Sequence, residues 1–578
     1  MCDGFQLVRF LRWGVCAAIL LGMVGACGPE YYKADADEEV YDIIDSKWKD
    51  RFGEQANYAI SDVPASPNDI QVDRAVPESA VLSLAEAVAI ATAHNRSYQR
   101  QKEQLYLTAL DLTLARHQFA RRWFGTIDAA YVTDNKEEQV SYNVSPGFTQ
   151  LLADGASISA NIALDWSRFL TDDPRTSLRS LLSAQVVQPL LRGSGRLVVQ
   201  ENLTQAERNA LYQIRTFNRF RKNFVISVVD SYYRVLQQKD QVTNAENNYN
   251  SRIESRKRLE MEAEAGRKPH FEVDQARQAE LTARDALVRV QQSYEQQLDE
   301  FKIFLSLPTD AEVSLDPNEL EVLREAGVTE PDYALAEAVN TALARRLDLA
   351  NSRDAVDDAT RKVAVAADGL GADLDLIGSA DVSSTGRNDY RRLQFHRGRY
   401  SLGLQADLPL DRKAERNAYR EALITLTQQE REYENFIDQV KLEVRQAYRR
   451  LREEAESYRT QELSLELARK RVESTTILLK AGRATTRDLL ESQDALLAAQ
   501  NSVTAALIGH AIAKLGFFAD IGLLHVRPDG MWEEKKAQYA AGSDTTSAER
   551  QKIPENATAK YQVDFRDFLA ESPRIWEQ

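Results

Sequence analysis

The sequence predicts a mixed α and β protein in which two very long helical hairpins are joined to groups of short strands. Two stretches of roughly 69 residues, Leu197–Ala265 and Lys413–Ala481, contain no Gly or Pro. As a helix, each would measure about 100 Å at ~1.5 Å per residue, far beyond the ~11–12 residues of an average globular helix. Before each of these stretches lie segments in which apolar and polar residues alternate, which is the pattern of a half-exposed strand.

Each long stretch ends in the same tripeptide, Ala-Gly-Arg. Gly supplies the left-handed backbone conformation that commonly ends a helix, and here it is Gly266 and Gly482. Helical periodicity resumes directly after both, and Thr485 or Thr486 is placed to cap the second return helix. We therefore predict two antiparallel helical hairpins with tips at residues 265–267 and 481–483.

The beginning of the chain has the form of an export signal. Arg9 and Arg12 precede an apolar run of signal-peptide length. Val24-Gly25-Ala26-Cys27 resembles a bacterial lipobox, which implies cleavage before Cys27 and a lipid, such as palmitate, on the mature N-terminal cysteine. We expect residues 1–26 to be a lipoprotein signal peptide, with an ordinary signal peptide and a chance cysteine as the alternative.

Two polar segments flank the periodic part of the chain. Residues 27–81 contain several prolines and few periodic apolar positions, which predicts an extended N-terminal leader. Residues 526–578 are polar and aperiodic, which predicts a loosely attached C-terminal tail.

A pentapeptide recurs in the two halves of the chain. Leu84–Val88 and Leu335–Val339 both read Leu-Ala-Glu-Ala-Val, roughly 250 residues apart. Each copy is followed by strand-like segments, a long helix, an Ala-Gly-Arg turn and a return helix. We therefore predict an internal duplication, with a first structural repeat at residues 82–330 and a second at residues 331–525.

Alternating segments of about nine residues have the length that a tilted membrane strand needs. Those predicted as strands are Thr126–Val132, Ala156–Leu164, Leu182–Val187, Leu374–Val382 and Tyr400–Leu408. The intervening residues Asp134–Gly155 and Arg168–Ser177 are rich in turn formers and charge, so we expect external loops. An ordinary sandwich strand facing a core would show the same alternation, and the pattern leaves both possibilities open.

Composition and motifs argue against several classes of function. The net charge is −15 and no basic patch dominates, so we expect no nucleic-acid partner. No segment after the signal reaches 18 continuous apolar residues. The six histidines form no helical zinc pair, and there is no phosphate loop or nucleophile elbow. We expect no enzymatic activity, no metal and no cofactor.

Four sequence elements carry a resemblance to a known family. They are the lipobox at Cys27, LSLAEAV at Leu82–Val88, QPLLRGSGR at Gln188–Arg196 and AGRATTRDLLESQDALLAAQ at Ala481–Gln500. Over roughly Leu82–Leu524 the chain resembles the TolC-type outer-membrane factor family. The resemblance implies a homotrimer with a 12-stranded transmembrane β-barrel, four strands per chain, continued by a long periplasmic α-helical coiled-coil barrel. Pro189 and Pro409 lie where a strand would give way to a helix.

The resemblance also implies a function and partners. The trimer would be the outer-membrane exit duct of a tripartite efflux pump or of a type I secretion system, anchored by lipid and extending into the periplasm. It would conduct substrates passively from an inner-membrane pump and a periplasmic adaptor (membrane fusion) protein, and open by an iris-like motion of the helical tip. The alternative is a non-channel periplasmic coiled-coil scaffold lipoprotein, which explains the helices and the anchor but not the strands.

The tips carry the site residues that the resemblance implies. Gly266, Arg267, Gly482 and Arg483 would form the surface on which the adaptor docks.

A pore constriction is implied on the return helices. It would be formed by Asp488 and Glu491, six and nine positions after Gly482, and by Glu272, six positions after Gly266. Acidic rings from three chains would favour cations. A solvated helix face in an acidic chain is the alternative for these three carboxylates.

Overall fold

The computed structural model describes residues 28–52, 58–60, 80–133, 138–169, 176–329, 333–384, 390–408, 410–527 and 532–534. Residues 1–26, predicted to be a signal peptide, lie outside the described residues, as do Cys27, Pro409 and the residues after 534, so the expectations about them stay predictions.

Helices dominate the described chain. They are α1 (Pro29–Phe52), α2 (Leu84–His94), α3 (Arg96–His117), α4 (Arg196–Val199), α5 (Glu201–Glu264), α6 (His270–Phe304), α7 (Asn318–Ala326), α8 (Leu335–Arg345), α9 (Leu347–Asp368), α10 (Lys413–Lys480) and α11 (Thr486–Asp520), with a 3-10 turn at Phe395–Arg397. The strands are β1 (Val81–Leu82), β2 (Arg122–Thr133), β3 (Glu138–Leu151), β4 (Ser157–Phe169), β5 (Thr176–Pro189), β6 (Ser314–Leu315), β7 (Asp373–Ser383), β8 (Arg399–Asp407), β9 (Leu524–Val526) and β10 (Trp532–Glu534).

The two long helices lie where the sequence predicts them. α5 has 64 residues and α10 has 68, which gives about 96 and 102 Å at ~1.5 Å per residue. Each packs against the helix that follows it, α6 or α11, to form a hairpin. In α10 the buried Val440, Val444, Leu451 and Ala455 repeat at helical spacing and form the apolar stripe that holds the hairpin together.

The N-terminal leader is not extended over its first part. Within residues 27–81, Pro29–Phe52 form helix α1, whose buried side chains lie on one stripe: Val40, Ile43, Ile44 and Trp48. The Trp48 ring lies 6.3 Å from the ring of Phe217 on α5, so the helix is packed onto the fold. The expectation was wrong here because a narrow apolar stripe in an otherwise acidic segment hardly changes its average composition.

One antiparallel sheet contains six strands in the order β2-β3-β4-β5-β7-β8. The first half of the chain contributes four of them and the second half contributes two. This differs from the four strands per chain that the resemblance implied. Origin of the two halves by duplication stays a prediction.

Strand β3 is the strand of this sheet that the sequence reading missed. It occupies most of Asp134–Gly155, which we expected to be a loop because of its Pro and Gly. Pro146 lacks an N–H, and the β3–β4 ladder is interrupted there, between the pairs Val144–Leu164 and Gly147–Asn161. The strand therefore tolerates its proline by omitting the pairing that the proline cannot make.

One described helix, α11, is long and apolar enough to span a membrane by length and composition. Half of the relevant window is buried inside the fold, as in the core helix of a bundle. We interpret α11 as a helix of the hairpin core.

Candidate functional site

The six-stranded sheet separates its side chains into an apolar face and a polar face. The strand register places Ile127, Val144 and Leu164 next to one another on one face. At the other side of the sheet Leu376 lies beside Leu404 on the same face. The apolar face therefore runs without interruption from β2 to β8.

The described chain leaves most of this apolar face uncovered and buries Ser180 and Val382 at its end farthest from the helices. Trp123, Ile127 and Leu402 are 72%, 70% and 78% exposed. Among the described strand residues on this face only Glu138 and Arg168 are charged, and both lie at strand ends. A contiguous apolar surface of this size requires a non-aqueous neighbour or a partner. Strands of nine to fourteen residues are long enough to cross a bilayer at a tilt.

Aromatic side chains form two bands on the apolar face. Near the base of the sheet, where the strands join the helices, the Trp123 and Phe148 rings lie 5.4 Å apart, with the Arg121 guanidinium 4.9 Å from the Phe148 ring. Toward the opposite edge, Tyr142 and Trp166 lie 5.3 Å apart. Phe148 and Tyr142 are six residues apart on β3, or ~20 Å. Paired aromatic girdles of this kind mark the two membrane–water interfaces of transmembrane strands.

The opposite face of the sheet is polar and acidic. In the described strands it carries Ser, Thr, Asn and Gln side chains, and its arginines are outnumbered two to one by aspartates. The three arginines are Arg122, Arg179 and Arg399, and the six aspartates are Asp128, Asp165, Asp373, Asp375, Asp381 and Asp407. A closed sheet with this face inward would enclose an aqueous, cation-favouring passage.

The connection from the sheet to helix α5 is fixed by contacts with both halves of the chain. Pro189 is the last residue of β5, and the Gly193 N–H donates to Asp368 Oδ2 of α9 at 2.8 Å. The β3–β4 turn packs on the same loop, because a Cβ added to Gly155 would lie 2.8 Å from the Gly193 carbonyl oxygen. Sheet and helices are therefore in direct contact at the end of β5. Pro409, at the second predicted junction, lies outside the described residues.

Both hairpin tips have the same backbone geometry. Gly266 and Gly482 have φ angles of +67° and +69°, in the left-handed region. The Arg267 N–H donates to the Glu262 carbonyl at 2.8 Å, and the Arg483 N–H makes the equivalent 2.8 Å bond to Leu478. These bonds form a Schellman motif at each tip. All four predicted docking residues, Gly266, Arg267, Gly482 and Arg483, are exposed.

Glu272 lies between the two hairpins. Its carboxylate accepts hydrogen bonds from the Thr486 hydroxyl at 2.5 Å and from Lys268 at 3.1 Å. Burial acts to raise the pKa of Glu272, but the bonds from Thr486 and Lys268 outweigh it and leave the pKa below its usual value. Thr486 is 2% exposed, so this contact is inside the fold and joins the starts of α6 and α11.

The other two predicted constriction residues have different surroundings. Asp488 belongs to a capping box with Thr485 and accepts from the Thr485 N–H at 2.8 Å and from its hydroxyl at 2.7 Å. Those backbone and side-chain hydrogen bonds lower the pKa of Asp488. Glu491 is exposed, with its carboxylate 3.5 Å from Arg471. Within one chain, the three carboxylates do not form a single cluster.

Arg252 forms a contact between the two hairpins that sequence reasoning missed. Its guanidinium, on α5, donates to the Leu490 carbonyl at 3.0 Å and to Asp494 at 2.5 Å on α11. The Arg252 side chain is 2% exposed. No sequence signal distinguishes it, because α5 contains many charged residues and its partners lie more than 200 positions away. The two hairpins are therefore joined at the tips by Glu272 and Thr486, and further along the helices by Arg252.

Sequence comparison matches part of the chain to one family. Residues 338–508, from within α8 to within α11, match the family described as "Outer membrane efflux protein". No curated protein matches the chain.

Several solved outer-membrane channels share the fold. The channel OprN is 14% identical over 81% of this chain and 98% of its own, with a TM-score of 0.54. The CmeC channel of Campylobacter jejuni is 13% identical over 78% of this chain and 87% of its own, with a TM-score of 0.55. The MtrE channel of Neisseria gonorrhoeae, in its open state, is 13% identical over 76% and 88%, with a TM-score of 0.56.

Proposed function

Because the chain belongs to the outer membrane efflux protein family, of the TolC type, we propose that it is the outer-membrane exit duct of an efflux pump. It conducts substrates from the periplasm to the exterior and does no chemistry itself. A type I secretion system would use the same duct.

The observation that carries this proposal is the two-faced sheet at the end of the long hairpins. An apolar face with aromatic bands fits the bilayer, and a polar face fits a water-filled passage. The backbone in a membrane must be hydrogen-bonded within the protein, so such a sheet must close into a barrel. A scaffold lipoprotein without a pore would gain nothing from an uncovered apolar face, which counts against that alternative.

The proposed assembly is a homotrimer that works with a periplasmic adaptor and an inner-membrane pump, as members of this family do. The exposed tip residues Gly266, Arg267, Gly482 and Arg483 are the proposed docking surface. A lipid on Cys27 would hold the chain to the outer membrane from the periplasmic side.

We propose that the duct opens by separation of the two hairpins near their tips. Contacts of Arg252 and Glu272 with α11 hold the hairpins together in the arrangement described here. An iris-like opening would break these contacts and repack the same coiled coils. Glu491, exposed on α11, and Asp488 are the proposed acidic constriction.

Conductance in a planar bilayer tests the duct. We expect purified wild-type trimers to insert and to conduct with a preference for cations. The double variant Asp488→Asn/Glu491→Gln removes two charges per chain but keeps hydrogen-bonding groups, so the cation preference should fall while the trimer persists. Glu473→Gln, an exposed acid elsewhere near the second tip, is the matched control and should behave like wild type.

Two outcomes would contradict the proposal at different levels. Unchanged selectivity in the double variant would show that Asp488 and Glu491 do not form the constriction, and would leave the proposal of a duct standing. Folded protein that never inserts into the bilayer would support the scaffold instead.

A further inference from the structure

We propose that strand β8 of one chain pairs with strand β2 of a second copy, so that three chains close an eighteen-stranded barrel. The inference rests on the proposed duct and assigns its subunit interface in the membrane. It differs from the twelve strands that the family resemblance implied, because the described residues of each chain form six strands of one sheet.

The sheet ends in two strands that are each paired on one side only. β2 bonds to β3 and β8 bonds to β7, and both have a free backbone edge among the described residues. Every residue of β2 and β8 is exposed. Free edges of nine and twelve residues in a membrane would leave N–H and C=O groups unpaired, which the bilayer does not tolerate. The edges must therefore be covered by another strand.

The stagger of the strands within one chain allows its sheet to continue into the sheet of an identical copy. The hydrogen-bonded row that starts at Arg122, the first residue of β2, passes in order through Thr149, Ser159, Gln185, Ser379 and Ser401. β8 continues beyond Ser401 to Asp407, six residues further toward the helices. The base of the sheet therefore steps by six residues across one chain, and placing Asp407 beside Arg122 of the next copy repeats the step.

The step gives a tilt that real barrels have. Six residues correspond to ~20 Å along a strand, and six strands ~4.8 Å apart cover ~29 Å, so the strands tilt by about 35° from the barrel axis. Transmembrane barrels tilt by roughly 35–45°. If the base of the sheet stepped by four residues per chain instead of six, the strands would tilt by only about 25°, which is outside that range.

The same register matches side chains across the interface. β2 runs away from the helices and β8 returns toward them, so the new pair is antiparallel like the rest of the sheet. Opposite Asp407 lies Arg122, an attractive pair on the polar face. Opposite Leu402 lies Ile127, both on the apolar face. A shift by one residue would place apolar side chains against the polar face, so only every second register is possible.

The closure has a consequence for the passage. Barrel diameter grows roughly in proportion to strand number, so eighteen strands make the exit about half again as wide as twelve. Barrels of 16–18 strands enclose an open aqueous channel. The membrane part of this duct is therefore not its narrowest part, and the constriction belongs to the helices.

Cysteine cross-linking between copies tests the interface. The native cysteines, Cys2, Cys16 and Cys27, all lie in the first 27 residues, so introduced thiols beyond them have no native competitor. We expect Asp407→Cys/Arg122→Cys, treated with oxidant or a short bis-maleimide in native membranes, to give covalent trimers on denaturing gels. The single variants should give none. Asp407→Cys/Asp128→Cys, displaced by six residues or ~20 Å, is the off-register control and should give none.

A different pattern would overturn the closure. If the barrel had twelve strands, built from β4, β5, β7 and β8 alone, Asp407→Cys would cross-link to Ser157→Cys at the base of β4. That result would overturn the eighteen-stranded closure and leave the duct standing. Folded protein that forms no trimer in the membrane would overturn the closure and the proposed function together.

Discussion

Glu272 illustrates how a residue chosen from its sequence position acquires a role from its surroundings. The family resemblance implied that Glu272, six positions after the tip glycine, faces a pore, and the structure places it against Thr486 of the other hairpin. Asp488, chosen in the same way, caps its own helix. Acids are favoured at the start of any helix because they complement the exposed N–H groups there. An acid shortly after a tip glycine is therefore expected for capping as well as for lining a pore.

The bond between Glu272 and Thr486 should make opening depend on pH. The pKa of Glu272 is lowered in the joined arrangement, so the ionised carboxylate stabilises that arrangement above its ordinary pKa of about 4.3. The contribution is lost as pH falls through the lowered pKa. We expect wild-type conductance in bilayers to rise when the periplasmic side is acidified below about pH 4.

Thr486→Val is the matched variant for this prediction. It keeps the shape of a buried side chain and removes a hydrogen bond to a charged group, worth ~1.5–3 kcal/mol. The variant should be more open at neutral pH and respond less to acid. An acid response as large as that of the wild type would show that another group controls it.

At the scale of elements, what could be predicted depended on whether the signal is local. The ends of α5 and α10 follow from Gly266 and Gly482, because a glycine and a capping residue act within a few positions. Strand β3 was missed although Val140, Tyr142 and Val144 alternate with polar residues. Its proline is acceptable only because the ladder to β4 is interrupted at that point. The local sequence of β3 does not reveal where its pairing with β4 is interrupted.

Gly147 on β3 gives a test of that strand. A Cβ there would lie 2.6 Å from the Phe124 ring and 2.7 Å from the Ala160 carbonyl oxygen, so both neighbours would have to move. We expect Gly147→Ala to destabilise the sheet by ~1–3 kcal/mol. The measurement is the temperature at which trimers dissociate in SDS.

Gly125→Ala is the control for the same sheet. Nothing lies within 4 Å of a Cβ at Gly125, so this change should leave the dissociation temperature unaltered. Equal behaviour of the two variants would mean that residues 138–151 do not form a packed strand in the assembled protein.

At the scale of the molecule, charge is distributed unevenly over the sheet. Three arginines against six aspartates on the polar face leave three net negative charges per chain, while the apolar face is charged only at Glu138 and Arg168. The polar face therefore carries a net charge of −3 per chain, which is part of the −15 of the whole sequence. Such a passage should attract cations along its length, and not only at the tips.

Neutralising part of the polar face should weaken this preference. Asp375→Asn/Asp381→Asn lowers the excess from three negative charges per chain to one, and we expect the cation-to-anion permeability ratio to fall by about two- to threefold. Reversal potentials in a salt gradient measure the ratio. Asp310→Asn, an exposed acid outside the sheet, should have no effect, and a loss of selectivity in that variant would assign the preference to overall charge.

The order of strands in the sheet also sets an order of events during folding. β2 to β5 follow one another along the chain and pair with their neighbours through short connections, whereas Leu181 of β5 pairs with Ser383 of β7, about 200 residues later. Pairing between distant segments is slow because a long loop must first be closed. The four-stranded meander should therefore form first and carry an unpaired β5 edge until the second half of the chain arrives. A chain at this stage would offer other copies an unpaired strand edge on which to aggregate, until β7 covers it.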